Sequence, residues 1–253
     1  MTTKNILFGL ATFISFGFKL IPWRLRKYAF FGWLIVESRG NPRRALIGLF
    51  ELEEMFRRVI NERAMVYGKD SHPKHELTQY HKFFVDNISD GEMVLDVGCG
   101  KGIVAYQVAM KMPGCRVVGI DRNECRLAEA RNRNDLNNLC YVLSDVCKNP
   151  PSGKYDVVIL SNILEHVERR IEFLLSLVNN IRPRRILIRV PAFERDWTMQ
   201  MKKELGVNFF SDPEHFIEHT SAELRHEVES AGLKIQSETM IWGEIWMRCE
   251  NDR

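Results

Sequence analysis

The sequence predicts an α/β fold built on a doubly wound, mostly parallel sheet. From residue 91 onward, short apolar segments of strand length alternate with segments of helical periodicity, as in consecutive βαβ units. Residues 155–160 are almost entirely apolar, as expected for a strand that is buried on both faces of a parallel sheet. Acidic residues end three successive predicted strands, at Asp96, Asp121 and Asp145. Ligands of open α/β sheets bind at this edge.

The individual elements follow in a regular order along the chain. Predicted strands cover residues 93–97, 116–120, 140–143, 155–160 and 185–190. Predicted helices cover residues 43–63, 75–88, 102–111, 124–134 and most of 163–180. Residues 192–218 show no clear periodicity and are expected to be irregular. A capping box, Thr220-Ser221-Ala222-Glu223, predicts a helix to about Ser230, and residues 233–240 and 244–249 predict a terminal antiparallel hairpin.

The N-terminal segment differs in composition from the rest. Residues 6–18 and 28–36 are apolar runs, and the intervening residues 19–27 are basic and aromatic. Neither run reaches the roughly 20 residues that span a bilayer. We therefore expect residues 1–40 to be an extension at a membrane interface, with Trp23 and Trp33 at the boundary. Packing of this extension against the domain or a partner subunit is the alternative.

The overall composition narrows the possible functions. The formal net charge of +3 is too small to indicate nucleic-acid binding, so no such partner is expected. The six cysteines are scattered without C-x-x-C pairs, which favours reduced thiols in the cytosol and no metal–thiolate site. We expect residues 41–90 to form a helical cap segment and residues 91–253 to form the main domain.

The most informative motif joins the first predicted strand to its helix and reads Asp96-Val97-Gly98-Cys99-Gly100-Lys101-Gly102. Glycines allow the backbone to turn tightly and to approach a ligand, and a helix start offers unpaired N–H groups and a positive dipole end. With the Asp96 carboxylate, this turn suits a ligand that carries both a carboxylate and an ammonium group. A dinucleotide fingerprint would need a small residue where Ile103 stands.

This D-x-G-x-G-x-G order resembles the first motif of class I S-adenosyl-L-methionine (SAM) dependent methyltransferases, and the resemblance extends over residues 94–190. It implies a seven-stranded Rossmann-like sheet that ends in an antiparallel hairpin, with SAM as the cofactor. Asp121 lies 25 residues after Asp96, close to the spacing of an acid that binds a ribose. The cofactor-binding residues implied are Asp96, Gly98, Cys99, Gly100, Gly102, Asp121, Arg122, Asp145, Val146, Ser161 and Asn162.

Residues 162–167, Asn-Ile-Leu-Glu-His-Val, are similar to a segment that many small-molecule methyltransferases carry after the fourth strand. The resemblance places Ser161 and Asn162 beside the methionine end of SAM. His166 is the candidate general base, because an imidazole has a pKa near neutral and can take a hydroxyl proton. A purely structural role at a helix start is the alternative for His166.

Two histidine-rich segments flank the predicted sheet. In this family, the segment before the first strand and the insert after the fifth cover the acceptor pocket. The resemblance therefore implies that these segments bind the acceptor through His72, His75, Tyr80, His215 and His219. His215 and His219, at i and i+4 on a helix with Asp212 nearby, could hold a metal ion. A role at a solvated surface or in the packing of a lid is favoured, and no metal is expected.

The sequence thus predicts a SAM-dependent methyltransferase that modifies a hydroxyl of a small-molecule or lipid-linked saccharide acceptor. Because SAM is cytosolic, the expected location is the cytoplasm, with peripheral attachment to the cytoplasmic membrane face. Two alternatives remain open. One is methylation of a quinone or polyprenyl-type small molecule, which suits the apolar N-terminus equally well. The other is a SAM-binding regulatory module without turnover.

Overall fold

The computed structural model describes residues 19–69, 72–149 and 151–252, which fall into two compact units. The first unit contains α1 (Trp23–Glu37) and α2 (Pro42–Tyr67) as far as Asn61, together with residues 205–207. The second unit contains the remaining residues and the whole sheet. The apolar run at residues 6–18 lies outside the described residues.

Seven strands form one sheet in the order β3-β2-β1-β4-β5-β7-β6. The strands are β1 Met93–Val97, β2 Arg116–Asp121, β3 Leu139–Leu143, β4 Val157–Ser161, β5 Arg185–Pro191, β6 Lys234–Ile241 and β7 Glu244–Glu250. The first five strands are parallel, and β7 pairs antiparallel with both β5 and β6. The predicted doubly wound sheet with its terminal hairpin is confirmed. The strand order reverses between β1 and β4, and ligands of open sheets bind at such a switch point.

Helices cover both faces of this sheet. They are α3 Lys74–Thr78, α4 His81–Asp86, α5 Ile103–Lys111, α6 Glu124–Asn132, α7 Arg170–Ile181, α8 Trp197–Leu205 and α9 Ser221–Ser230. Successive side chains of β1 enter different cores, because residues along a strand point to opposite faces. Val94 packs with α4, α5 and α6, whereas Leu95 packs with α7 and α9. Asp96 lies between Leu95 and Val97, which are both fully buried.

Two predicted elements differ from the structure. The predicted helix 75–88 is divided into α3 and α4, because Gln79 adopts the left-handed conformation (φ 46°) that ends α3. The segment 192–218, expected to be irregular, contains the 3-10 turn Phe193–Arg195 and the helix α8. The buried residues of α8 are Met199 and Lys202. Because one of them is charged, the sequence shows no apolar stripe that would predict this helix.

The helix α1 includes the second apolar run, residues 28–36. Several of its large side chains are exposed, among them Trp23, Tyr28 and Phe31. Within the described ranges, no helix combines the length and the apolar character needed to cross a membrane.

Candidate active site

A cavity of roughly 780 Å³ opens at the carboxyl ends of β1, β2 and β4. Most of the residues predicted to form the site line it together. They are Asp96, Gly98, Cys99, Gly100, Asp121, Arg122, Asp145, Val146, Ser161, Asn162, His166, His75 and Tyr80. Four predicted residues, Gly102, His72, His215 and His219, are not part of this lining.

The three glycines of the turn have distinct roles. Gly98, Gly100 and Gly102 all have positive φ, at 67°, 56° and 74°. A Cβ atom at Gly98 would lie 2.0 Å from Cδ1 of Ile163, and one at Gly102 would lie 2.2 Å from the hydroxyl of Tyr141. At Gly100 no atom lies within 4 Å of that position. Gly98 and Gly102 thus face neighbouring side chains, at Gly98 the flexible tip of Ile163 and at Gly102 the ring of Tyr141, whereas the open side of Gly100 lies at the cavity.

Asp121 is fixed against this glycine turn by main-chain hydrogen bonds. One of its carboxylate oxygens accepts from the N–H of Gly100 at 2.8 Å, and the other accepts from the N–H of Asn123 at 2.8 Å. The turn is also tied to β2 because the N–H of Cys99 donates to the carbonyl of Ile120 at 2.9 Å. Each carboxylate oxygen of Asp121 retains a further lone pair, so the group can accept two hydroxyl donors from a ligand.

Asp96 is 1% exposed and accepts a hydrogen bond from the N–H of Ala105, at the start of α5, at 3.1 Å. Burial raises the pKa of Asp96 to about 7, although the Ala105 bond opposes this and Asp121 adds to it. A cationic group placed beside Asp96 would favour its ionised form. Asp96 therefore suits the ammonium group of an amino-acid ligand.

The lining of the cavity also contains Arg189, which sequence reasoning did not identify. Arg189 lies in β5, is 4% exposed, and binds both carboxylate oxygens of Glu244 at 2.6 Å. It also donates to the hydroxyl of Ser161 at 3.1 Å, and its guanidinium lies 3.7 Å from the ring centroid of Tyr80. The available signal was a second charge, after Arg185 at its start, within the apolar run of strand 185–190, since buried charges are paired or functional.

The histidine segment before β1 contributes His75 but not His72. The hydroxyl of Tyr80 lies 2.9 Å from Nδ1 of His75. Burial, together with the charge of Lys74 beside it, lowers the pKa of His75 to about 4, so this imidazole is neutral near pH 7. His72 instead accepts a hydrogen bond from the N–H of Lys74 at 3.1 Å, which shapes the turn into α3.

The segment after β5 brings His215, but not His219, close to His166. The rings of His166 and His215 are 4.5 Å apart at an interplanar angle of 79°. His219 is completely buried, and its Nε2 lies 3.0 Å from the carboxylate of Glu227. Residues 215–219 are not helical, so the predicted shared helix face of His215 and His219 does not exist.

Beside His166, Glu165 is completely buried, and neither of its carboxylate oxygens has a hydrogen-bond partner among the described residues. Burial raises the pKa of Glu165 to about 8. The pKa of His166 is lowered by burial and by the neighbouring His215.

Asn162 adopts a strained positive φ of 57° at the end of β4, as often found at ligand sites.

A family model described as a methyltransferase domain matches residues 88–249, which include the glycine turn and nearly the whole sheet. The chain belongs to the class I SAM-dependent methyltransferases. This assignment confirms the resemblance that the sequence motifs carry, including SAM as the cofactor of the family.

Similar proteins show how far this relationship reaches. A ubiquinone biosynthesis O-methyltransferase from Rickettsia bellii is 38% identical over 109 residues, which cover 42% of this chain and 44% of that protein. A ribosomal protein L11 methyltransferase from Burkholderia ambifaria is 35% identical over 104 residues, covering 40% of this chain and 32% of that protein. The chain thus spans less than half of the length of these curated relatives.

Two solved structures show the same fold. Magnesium protoporphyrin IX methyltransferase from Synechocystis with bound S-adenosylhomocysteine (SAH) has a TM-score of 0.57 and 21% identity, covering 71% of this chain and 83% of that one. An O-methyltransferase family 2 protein from Planctomyces limnophilus in complex with apigenin has a TM-score of 0.55 and 21% identity, covering 68% and 57%. At these identities the likeness concerns the fold alone.

Proposed function

We propose that this protein transfers a methyl group from SAM to a hydroxyl of a small-molecule acceptor. The observation that carries the proposal is that one cavity is lined by Asp121, which is held by Gly100, and by His166 and Tyr80. The residues present fit SAM. Asp96 would meet the ammonium group, Asp121 the ribose hydroxyls and Asp145 with Val146 the adenine, and the open side of Gly100 leaves room for the ligand.

The chain's own contribution is positioning and proton handling. When bound, SAM supplies a methyl group on a sulfonium centre, which is already a good leaving group. The protein must then align the acceptor oxygen with that methyl group, and such alignment supplies much of the rate. His166 lines the cavity and is predicted to accept the hydroxyl proton, which its lowered pKa permits because the imidazole is neutral near pH 7.

The acceptor we propose is a sugar or lipid-linked saccharide hydroxyl. Its support is the polar character of the cavity near β5, where Lys74, Tyr80, Ser161 and Arg189 offer hydrogen-bonding groups. A hydroxyl group can both donate to and accept from such side chains, so a hydroxylated acceptor matches this part of the cavity. A quinone-type acceptor is the second candidate, favoured by the similarity to a ubiquinone biosynthesis O-methyltransferase.

We further propose that residues 1–40 bring the enzyme to a membrane surface, that residues 41–90 form a cap segment, and that residues 91–253 form the methyltransferase domain. The support is the exposed aromatic side chains of α1 beside basic ones. Arg26 lies 5.7 Å from the ring centroid of Trp23, and Lys27 lies 5.3 Å from that of Tyr28. Basic and aromatic side chains together favour the interface of anionic lipids.

The test combines binding with turnover. Calorimetry should show binding of SAH and none of NAD, and labelled SAM should transfer its methyl group to extracted glycolipids or glycans. Transfer to quinone precursors alone would favour the second candidate. Tight SAH binding without transfer to any extract would favour a regulatory module, and absence of SAH binding would contradict the proposal.

A further inference from the structure

Three side chains beside the cavity meet at one point. Glu165, His166 and His215 each offer one ligand atom, and these atoms all lie within 4.8 Å of one another. Two segments distant in sequence are joined here. The N–H of Phe216 donates to the carbonyl of Glu165 at 2.8 Å, and Nδ1 of His166 lies 3.3 Å from the carbonyl of Glu214.

Glu165 is the decisive member of this group. Its side chain is completely buried, and both carboxylate oxygens are unpaired among the described residues. Buried acids are normally hydrogen-bonded, paired with a cation or bound to a metal, because an unpaired one is costly. Arg189, the nearby guanidinium, is already bound to both oxygens of Glu244. The vacant oxygens of Glu165 therefore indicate a ligand that comes from outside the chain.

Nδ1 of each histidine has a partner of its own, which leaves Nε2 for a ligand. Nδ1 of His215 lies 3.0 Å from the carboxylate of Glu218, which is itself fixed by Arg195 and by the N–H of Ser211 at 2.6 Å. Nδ1 of His166 contacts the carbonyl of Glu214. An imidazole that donates through Nδ1 keeps its lone pair on Nε2, and metal-binding histidines are usually held in this way.

We propose that Glu165, His166 and His215 bind one divalent transition-metal cation. Two imidazoles and one carboxylate suit Zn²⁺, Mn²⁺, Fe²⁺ or Co²⁺ better than Mg²⁺ or Ca²⁺, which prefer oxygen ligands. Three protein ligands leave coordination positions open, and His166 also lines the cavity. The metal would therefore be accessible from the acceptor side.

The use of this cation rests on the proposed function. A bound cation would coordinate the acceptor hydroxyl and favour loss of its proton to water, while the new methyl–oxygen bond forms and the methyl–sulfur bond of SAM breaks. In this state His166 is a metal ligand, and the cation replaces the imidazole as the group that activates the hydroxyl.

The experiment measures metal binding directly on the full-length protein. After treatment with a chelator, the protein is titrated with Co²⁺ while the visible absorption is recorded, and bound Zn²⁺ is counted after dialysis. We expect one ion per chain. Glu165→Gln and His215→Ala should each weaken binding by more than the roughly 10- to 100-fold that loss of an outer-shell partner costs. His226→Ala, which removes an exposed histidine of α9, is the matched control and should bind as the unaltered protein does.

Thermal unfolding and SAH affinity without metal establish that each variant is folded. His215 is not in the sheet core, so we expect His215→Ala to fold. This variant therefore tests the metal site even if Glu165→Gln fails to fold. Absence of an ion in the unaltered protein, or equal binding by Glu165→Gln, His215→Ala and the control, would overturn the metal site. If methyl transfer persists in that case, the proposed function stands. If metal binds but no acceptor is methylated, the metal site stands and the proposed function fails.

Discussion

Arg189 and Glu244 form a bidentate ion pair in the wall of the candidate active site, with both N–O distances at 2.6 Å. The pair joins β5 to β7, the strand that belongs to the terminal hairpin. Because the same guanidinium contacts the hydroxyl of Ser161 and the ring of Tyr80, one side chain links the hairpin to two residues of the cavity.

Removal of Glu244 should therefore destabilise the protein. Glu244→Ala leaves the buried guanidinium without its partner, and the free energy of unfolding should fall by about 3–5 kcal/mol. The double variant Arg189→Met/Glu244→Leu should recover part of this loss, because no unpaired charge remains. Urea unfolding measures both. If the double variant is no more stable than the single one, the loss does not come from the unpaired charge.

The glycine turn provides a pair of matched substitutions. Gly102→Ala should lower the free energy of unfolding by about 2 kcal/mol or more, because its methyl group meets Tyr141 and its φ is positive. Gly100→Ala has only the backbone cost of about 1 kcal/mol, but its methyl group would project into open space at the cavity. We expect Gly100→Ala to weaken SAH binding by more than tenfold in calorimetry. Unchanged SAH affinity would contradict the assignment of Gly100.

The raised pKa of Asp96 predicts a dependence of stability on pH. The folded state retains the Asp96 proton up to about pH 7, whereas the unfolded chain releases it near pH 4, the usual carboxyl pKa. The stability that this group contributes is thus complete below pH 4 and is lost as the pH rises through 7. Asp96→Asn cannot ionise, so its free energy of unfolding should rise by about 4 kcal/mol relative to that of the unaltered protein between pH 4 and pH 8.

Unfolding curves of both proteins across this pH range test the prediction. Asp86→Asn, at an exposed position of α4, is the control and should track the unaltered protein. A constant difference between Asp96→Asn and the unaltered protein would mean that Asp96 is already ionised in the fold.

The exposed aromatic residues of α1 predict lipid binding. In the full-length chain, Trp23→Ser/Phe31→Ser removes two large exposed side chains of the first unit. Flotation with vesicles that contain anionic lipid should show association of the unaltered protein and at least a tenfold loss in the variant. Trp197→Ser, which removes an exposed tryptophan of α8, is the control. Equal flotation of all three proteins would reject the membrane role of α1.

Local features of the sequence determined much of the fold. The strand β1 matches its predicted bounds, because an apolar run before a glycine turn is a purely local pattern. The capping box at Thr220 begins α9 as predicted, since both of its hydrogen bonds join residues three apart. The glycines were identifiable for the same reason, because the turn imposes backbone requirements that only glycine meets. Asp121 was identifiable from its position at a strand end and its spacing after Asp96.

Only the tertiary structure decided the acceptor side of the cavity. His219 looks like His215 in the sequence, yet one packs in the core against Glu227 and the other lies against His166. The pair of Arg189 with Glu244 joins residues 55 positions apart, and no local pattern relates them. Hydrophobic periodicity and turn residues indicate the conformation that each segment prefers by itself. Which side chains meet across segments depends on how the sheet and its loops pack, and that information is not local.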